Sequence, residues 1–300
     1  MWIVRSLQLS RSAKGSVFRS FSSFFFSIAI VLAVYQIPQK AAEPAAAASA
    51  EALCWICSEN KADSGEHKTK RSDLLAVLGK PSQQAPFFYH YLHKANRPVG
   101  SLDAKILKSP VRICSQCNST RTQPHDRAWE TMSDRLRSRR LTVGQMIRCD
   151  SIFPHCTKRE MLNVHLFFLK LTGCMLAEAK ANGHEVPIAL DPFSTAIMSG
   201  RPHVEVHLQF GRNDGIVGRS NLHVWKTDPG GSILGAWLYD LGTIAVSVLY
   251  MQAGRFEHRR DIWHPHSWTR RKRFQIADVM YSKRDEAELA AAEVAAAAPA

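Results

Sequence analysis

The chain has 300 residues, 45% of them apolar and 22% charged, which excludes a disordered or collagen-like polymer and allows a sizeable buried core in one or two domains. With 39 Lys and Arg against 26 Asp and Glu, the formal net charge is +13. A surface of that sign attracts polyanions, so nucleic acid or an anionic membrane is the natural partner, with a merely solvated basic surface as the plain alternative that motifs must decide against.

The first forty residues stand apart. Arg5, Arg11, Lys14 and Arg19 precede the apolar stretch Phe24 to Tyr35, and no acidic residue occurs before Glu43. This is the grammar of a signal peptide or short anchor, although the uninterrupted apolar part reaches the ~17 residues a span needs only when flanking serines are counted. A start codon placed too early is the third reading. Residues 41–52 are an Ala-rich linker without chemistry.

A first domain is expected over residues 53–140. It holds two cysteine pairs, the aromatic run Phe87 to Tyr91, and a helix over His125 to Arg140 whose first turn Pro124 suits. Arg121 lies just before that helix, and Arg127, Arg135, Arg139 and Arg140 make the helix strongly basic. Such a face suits phosphate contacts or is simply solvated.

An α+β domain is expected over residues 141–284, followed by an Ala/Glu-rich tail at 285–300. Thr157 and Glu160 have the spacing of a capping box. The apolar positions from Met161 to Leu171 predict a largely buried helix that Gly183 ends. Asp191-Pro192 opens a second helix. Val204, Val206, Leu208 and Phe210 alternate with Glu205, His207 and Gln209, the period of a half-buried strand. Further strands are expected at 221–226, 233–239 and 244–250, with a turn at Asp228-Pro-Gly-Gly231, so helices pack on an antiparallel sheet.

Seven cysteines occur, four of them as Cys-x2-Cys pairs: Cys54 with Cys57, and Cys114 with Cys117. Two such knuckles present four thiolates in a closed tetrahedron, the donor set of structural zinc. The 56 residues between the pairs exceed a simple zinc ribbon and predict an inserted subdomain that bulges out. Cys149, Cys156 and Cys174 lack such spacing and read as small buried hydrophobes. Zinc thiolates fit a reducing compartment, so a cytoplasmic protein with an extended start is expected, against anchoring or export through residues 20–37.

The dipeptide Glu66-His67 follows the first pair, and Asn118 follows the second at once. Cys-x2-Cys, acidic-His, then Cys-x2-Cys-Asn resembles the zinc-stapled branch of the HNH (His-Me finger) endonucleases, which includes phage enzymes that resolve branched DNA. The resemblance covers about Leu53 to Glu130. It implies a ββα module stapled by zinc, with His67 as general base and with Glu66 and Asn118 as ligands of a separate catalytic cation, magnesium or manganese. Asp126 matches an acidic position of the family, as a third ligand or a helix-start residue. The chemistry is coherent: a neutral imidazole takes a proton from water, and hard oxygen ligands suit a hard cation.

Two further clusters compete. His203, Glu205 and His207 share one face of the expected strand, with His223 on the next, and either converge on a metal or form a solvated face. Trp263 to Trp268, followed by Arg270, Arg271, Lys272 and Arg273, mixes aromatics with positive charge as a nucleic-acid groove does, or is an exposed basic loop. The sequence therefore predicts an α+β protein: a zinc-stapled ββα module with a long insertion, then an α+β domain with an antiparallel sheet. The expected function is metal-dependent endonuclease acting on DNA. A zinc-dependent nucleic-acid-binding protein without catalysis is the rival reading, and a membrane-anchored interaction protein the third.

Overall fold

The computed structural model describes residues 2–4, 33–35, 52–91, 94–212, 217–226, 232–252, 261–266 and 272–278. In chain order, β1 (Trp2–Val4) and β2 (Ala33–Tyr35) precede β3 (Ser64–His67), α1 (Arg71–Leu78), β4 (Phe87–Tyr91), β5 (Lys94–Val99) and β6 (Lys108–Ile113). A π-type turn at Gln116–Arg121 leads into α2 (Gln123–Arg137), then come β7 (Met146–Arg148), α3 (Thr157–Ala181) and α4 (Asp191–Ser199). The remaining strands are β8 (Val206–Arg212), β9 (Val217–Arg219), β10 (His223–Lys226), β11 (Ile233–Leu241), β12 (Ala245–Met251), β13 (Arg273–Gln275) and β14 (Ala277–Asp278).

The chain is thus mixed α+β with antiparallel sheets. The large sheet runs β14-β8-β12-β11-β9-β1-β4-β5, with β10 pairing both β11 and β2. Among the described pairs only β14 with β8 is parallel. β3 and β6 form a separate antiparallel pair, and α2 follows β6 through the second cysteine knuckle, so the local order is strand, strand, helix.

The segment between the knuckles does not bulge out as expected. Its β4 and β5 pair with each other, and β4 pairs with β1, which in turn pairs with β9, so the insertion extends the large sheet. A free two-stranded hairpin is marginal in water; joining the sheet through β4 gives it further strands and covers one of its edges, with β5 as the end strand.

α3 is the axis of the core. It is apolar on nearly every side, from Val164 and Leu166 through Phe167, Phe168 and Leu169 to Leu171, all buried. A helix of that pattern must be enclosed. Its length and composition would let it cross a membrane, yet most of the apolar window is covered by the protein itself. The capping box expected at its start does not form: Cys156 is the N-cap, Thr157 Oγ1 donates to the Phe153 carbonyl, and Glu160 accepts from Arg159 and Asn163. On one side Trp129 of α2 stacks on Phe167 at 5.6 Å and meets Phe168 edge-on at 4.8 Å. On the other, the Trp237 indole N–H donates to Thr172 Oγ1 at 2.9 Å. Residues on both sides of Arg140 thereby share one apolar cluster.

β8 also departs from expectation. His207 and Gln209, placed on a solvated face by their alternation, are buried. β8 lies inside the sheet between β12 and β14, and the backbone of Trp263 pairs with Leu208, bringing the His264 ring within 4.8 Å of His207.

A buried carboxylate ties these layers together. Asp73 of α1 accepts from the Trp129 indole at 2.7 Å, the Tyr239 hydroxyl at 2.7 Å, Ser133 Oγ at 3.1 Å and Arg137 Nη1 at 3.3 Å. Tyr239 in turn accepts from the backbone N–H of Lys70 at 3.0 Å. Removing the carboxylate strands several buried donors at once, each at a desolvation cost. Asp73→Ala is expected to lower unfolding free energy by about 3 kcal/mol or more, measured by denaturant titration; a loss under 1 kcal/mol would show that the network is not holding the layers.

Candidate functional site

The first knuckle is a tight turn. The Ser58 N–H donates to the Cys54 carbonyl at 2.7 Å, the Cys54 N–H to the Asn60 carbonyl at 2.8 Å, and Ser58 takes a positive φ of 56° to close it. Its Trp55 lies against α3, where a Cβ added at Gly173 would come within 2.1 Å of the indole Cη2. Only glycine permits that approach. The second knuckle is fixed to the start of β3 by Asp63, whose Oδ1 accepts from the Ser115 N–H at 2.7 Å and the Ser115 hydroxyl at 2.9 Å.

These contacts bring Cys54, Cys57, Cys114 and Cys117 together, with all four sulfurs within 4.8 Å of one another. Cys57 Sγ and Cys114 Sγ are 3.8 Å apart, far beyond a disulfide bond of ~2.05 Å. That separation matches the edge of a tetrahedron with zinc–sulfur bonds of about 2.3 Å. Burial pushes the Cys54 and Cys117 thiols up, and the neighbouring sulfurs add to it at Cys117. At Cys57 slight burial opposes ionisation, but the N–H groups of Asn60 and Glu59 and the adjacent thiols bring it down to about 7. Four thiolates so close need a cation between them, and the cluster can hold a metal ion such as zinc. Among the described residues no other group brings together three or more such ligand atoms.

Behind the staple, β3 delivers Glu66 to a buried charge cluster. Lys170, fully buried on α3, donates to Glu66 Oε2 at 3.2 Å and to both oxygens of Asp126 at 2.8 and 3.0 Å. Burial alone would push this ammonium's pKa down; the charges of Glu66 and Asp126, with the Asp126 hydrogen bond, overcome that and carry it above the ordinary lysine range. Lys70 adds a second ammonium, 3.5 Å from Asp126 and 3.3 Å from Glu130. Glu66 and Asp126 are therefore brought together as the resemblance implies, but around a lysine. Asn118 is elsewhere engaged, its Nδ2 donating to Ser64 Oγ at 2.8 Å. This arrangement does not fit a catalytic magnesium or manganese ion held by Glu66, Asn118 and Asp126.

His67 faces a different partner. Its Nε2 lies 3.1 Å from the carbonyl of Leu102, in the inserted segment. A carbonyl only accepts, so Nε2 carries the proton and Nδ1 keeps its lone pair. Burial lowers the pKa of this imidazole, partly countered by the Leu102 carbonyl and Glu66 and reinforced by Lys108, its partner across the β3–β6 pair.

The arginines are spread along α2 and beyond both its ends. Arg127, Arg135 and Arg140 are exposed, and Arg121 is half-buried. Arg139 reaches Ser151, donating to its hydroxyl at 3.1 Å and its carbonyl at 2.9 Å. Next to it, Lys272 and Arg273 are exposed, with Arg273 opposite Arg148 in the β13–β7 pair. Arg270 and Arg271 lie outside the described residues.

The strand-face metal alternative is not met: among the described residues His203, Glu205, His207 and His223 do not bring three ligand atoms together. The Glu205 carboxylate accepts from the Tyr250 hydroxyl at 2.7 Å. His203 Nδ1 accepts from the Glu205 N–H, His165 Nε2 from the His203 N–H, and His264 Nδ1 from the His266 N–H. A neutral imidazole has one lone pair, so His203, the one of these three rings in the expected cluster, has none left for a metal. Lys170 is the site residue that sequence reasoning missed, and its signal was a single charge inside the apolar run of α3.

Comparison of the chain with models of known families, with curated proteins and with solved structures gives no match. The staple can be tested directly. Purified protein is expected to hold one zinc with four sulfur neighbours at about 2.3 Å by X-ray absorption, and Cys57→Ser or Cys117→Ser to unfold the knuckle region, because metal binding there is folding free energy. Well-folded protein without zinc would rule the staple out.

Proposed function

We propose that the chain is a nuclease of the zinc-stapled HNH type that hydrolyses phosphodiester bonds of nucleic acid, DNA in the first instance, with His67 as general base. The observation that carries this reading is the state of His67: oriented by a backbone carbonyl, held neutral, and left with a free Nδ1 lone pair. The local order supports it: the two knuckles flank the β3–β6 pair, and α2 follows the second knuckle.

In this reading Nδ1 of His67 takes a proton from water as the water oxygen attacks phosphorus, and the bond from phosphorus to the leaving oxygen breaks. Lys108, directly across the strand pair, is half-exposed and makes an exposed ion pair with Asp103 at 3.6 Å. Such a pair is weak enough to yield to a phosphate. The exposed arginines of α2 and the β13 strand supply backbone contacts that hold the substrate without reading its sequence.

A second reading, a nucleic-acid-binding protein that does not cut, is favoured by one observation: the carboxylates expected to hold a cation are closed on Lys170. Catalysis at His67 separates the two. His67→Ala is expected to retain zinc and DNA affinity while cleavage of plasmid DNA falls by about a hundredfold or more. Because the base acts when neutral and its folded pKa lies below the ordinary value of ~6.5, cleavage should rise with pH to a plateau, with its midpoint below that value. Equal cutting by His67→Ala, or no cutting by the parent with or without divalent ions, would leave the binding protein as the account.

A further inference from the structure

We infer that Lys170 is this site's own cation: its ammonium fills the position between Glu66 and Asp126, so the site neither binds nor needs a divalent ion. The second half of that statement rests on the nuclease reading; the first half stands on the packing alone.

An ammonium has three N–H donors, and here three carboxylate oxygens meet it at 2.8, 3.0 and 3.2 Å. Each bond is complete, and the nitrogen is enclosed with no exposure to solvent. A hard divalent ion binds through the same carboxylate lone pairs. It would have to displace Lys170 or sit beside it as a like charge. Displacement is blocked by the helix that carries the residue. Leu169 and Leu171 on either side are buried, the Phe167 ring lies 6.0 Å from Nζ, and α3 is fixed two and three residues on by the Thr172–Trp237 hydrogen bond and the Gly173–Trp55 contact. Lys70 lowers the remaining attraction further: Glu66, Asp126 and Glu130 contribute three negative charges, Lys70 and Lys170 two positive ones. The cluster keeps a net charge of only minus one, and Glu130, at its outer end, is open to solvent.

The test uses zinc-loaded, full-length protein titrated with Mn²⁺, with free Mn²⁺ read by electron paramagnetic resonance. The parent is expected to bind no Mn²⁺ that Glu66→Gln abolishes, up to millimolar concentration. Lys170→Met keeps the chain length but removes the charge, leaving two enclosed carboxylates without a counter-ion. That variant is expected to melt at lower temperature than the parent and to gain a Mn²⁺-dependent rise in Tm that the Lys170→Met/Glu66→Gln double variant lacks. Lys170→Arg, which keeps the charge, should show no such gain. Cleavage by the parent is expected to proceed at the same rate with and without added Mn²⁺. A parent that binds one Mn²⁺, lost in Glu66→Gln, or that cuts only when Mn²⁺ is present, overturns the assignment. Should Lys170→Met fail to fold, the comparison of parent with Glu66→Gln still decides. Absence of cutting under every condition would instead remove the nuclease reading, and the Mn²⁺ titration would judge Lys170 independently.

Discussion

The ammonium of Lys170 joins three pieces of chain that are far apart in sequence: Glu66 on β3, Asp126 in the first turn of α2, and α3 itself. A charge taken out of water is costly, and the cost is offset only when every donor and acceptor is matched at close range. That requirement leaves little freedom. α3 cannot slide along α2 or turn about its axis without separating the ammonium from one carboxylate and stranding both in an apolar surround. Two opposite charges on facing elements therefore set the register of the helices, while the apolar side chains around them supply the bulk of the attraction.

Two other fixed points share the load. The Asp73 network joins α1, α2 and β11 through Trp129, Ser133, Arg137 and Tyr239. The contact between Trp55 and Gly173 sets the first knuckle against α3. All three points act on elements that touch α2 or α3, so the four-cysteine cluster is not left to fold a free-standing module. The cysteine cluster fixes the ends of the β3–β6 pair, and α3 holds the reverse side. The segment between the knuckles runs into the large sheet, where pairing with β1 covers the β4 edge of its hairpin.

The sequence showed the long periodic elements and the four-cysteine cluster well. The apolar run from Met161, the Cys-x2-Cys spacing and the antiparallel strands of the second half each carry a local signal of propensity or period, and each stands close to where it was expected. What stayed hidden depends on contacts between distant residues. Alternation along β8 cannot reveal that the Trp263 segment pairs along its edge and sets His264 beside His207. The tautomers of His165, His203 and His264 are set by backbone N–H groups that only the folded turns deliver. Lys170 left a trace, because a charge amid Phe167, Phe168, Leu169 and Leu171 must find a partner if the helix is buried. Its partners lie 104 and 44 residues away, and no pattern within α3 points to them.

The placement of His67 follows from the same constraint. Its neighbour Glu66 is held from behind by Lys170, and the β3–β6 register shifts between Gly65 and His67, so the backbone at this point is irregular and needs outside support. The Leu102 carbonyl gives that support from the inserted segment. Leu102 itself is buried, and the turn that carries it is closed by the Ala104 N–H donating to the Ser101 carbonyl at 3.2 Å and the Asp103 N–H donating to Ser101 Oγ at 3.1 Å. One side of the dipeptide is thus anchored through a charge to α3, and the other through a carbonyl to the insertion. The long gap between the knuckles and the helix beyond the ββα segment both contribute to one imidazole, fixing which of its nitrogens is free to accept a proton.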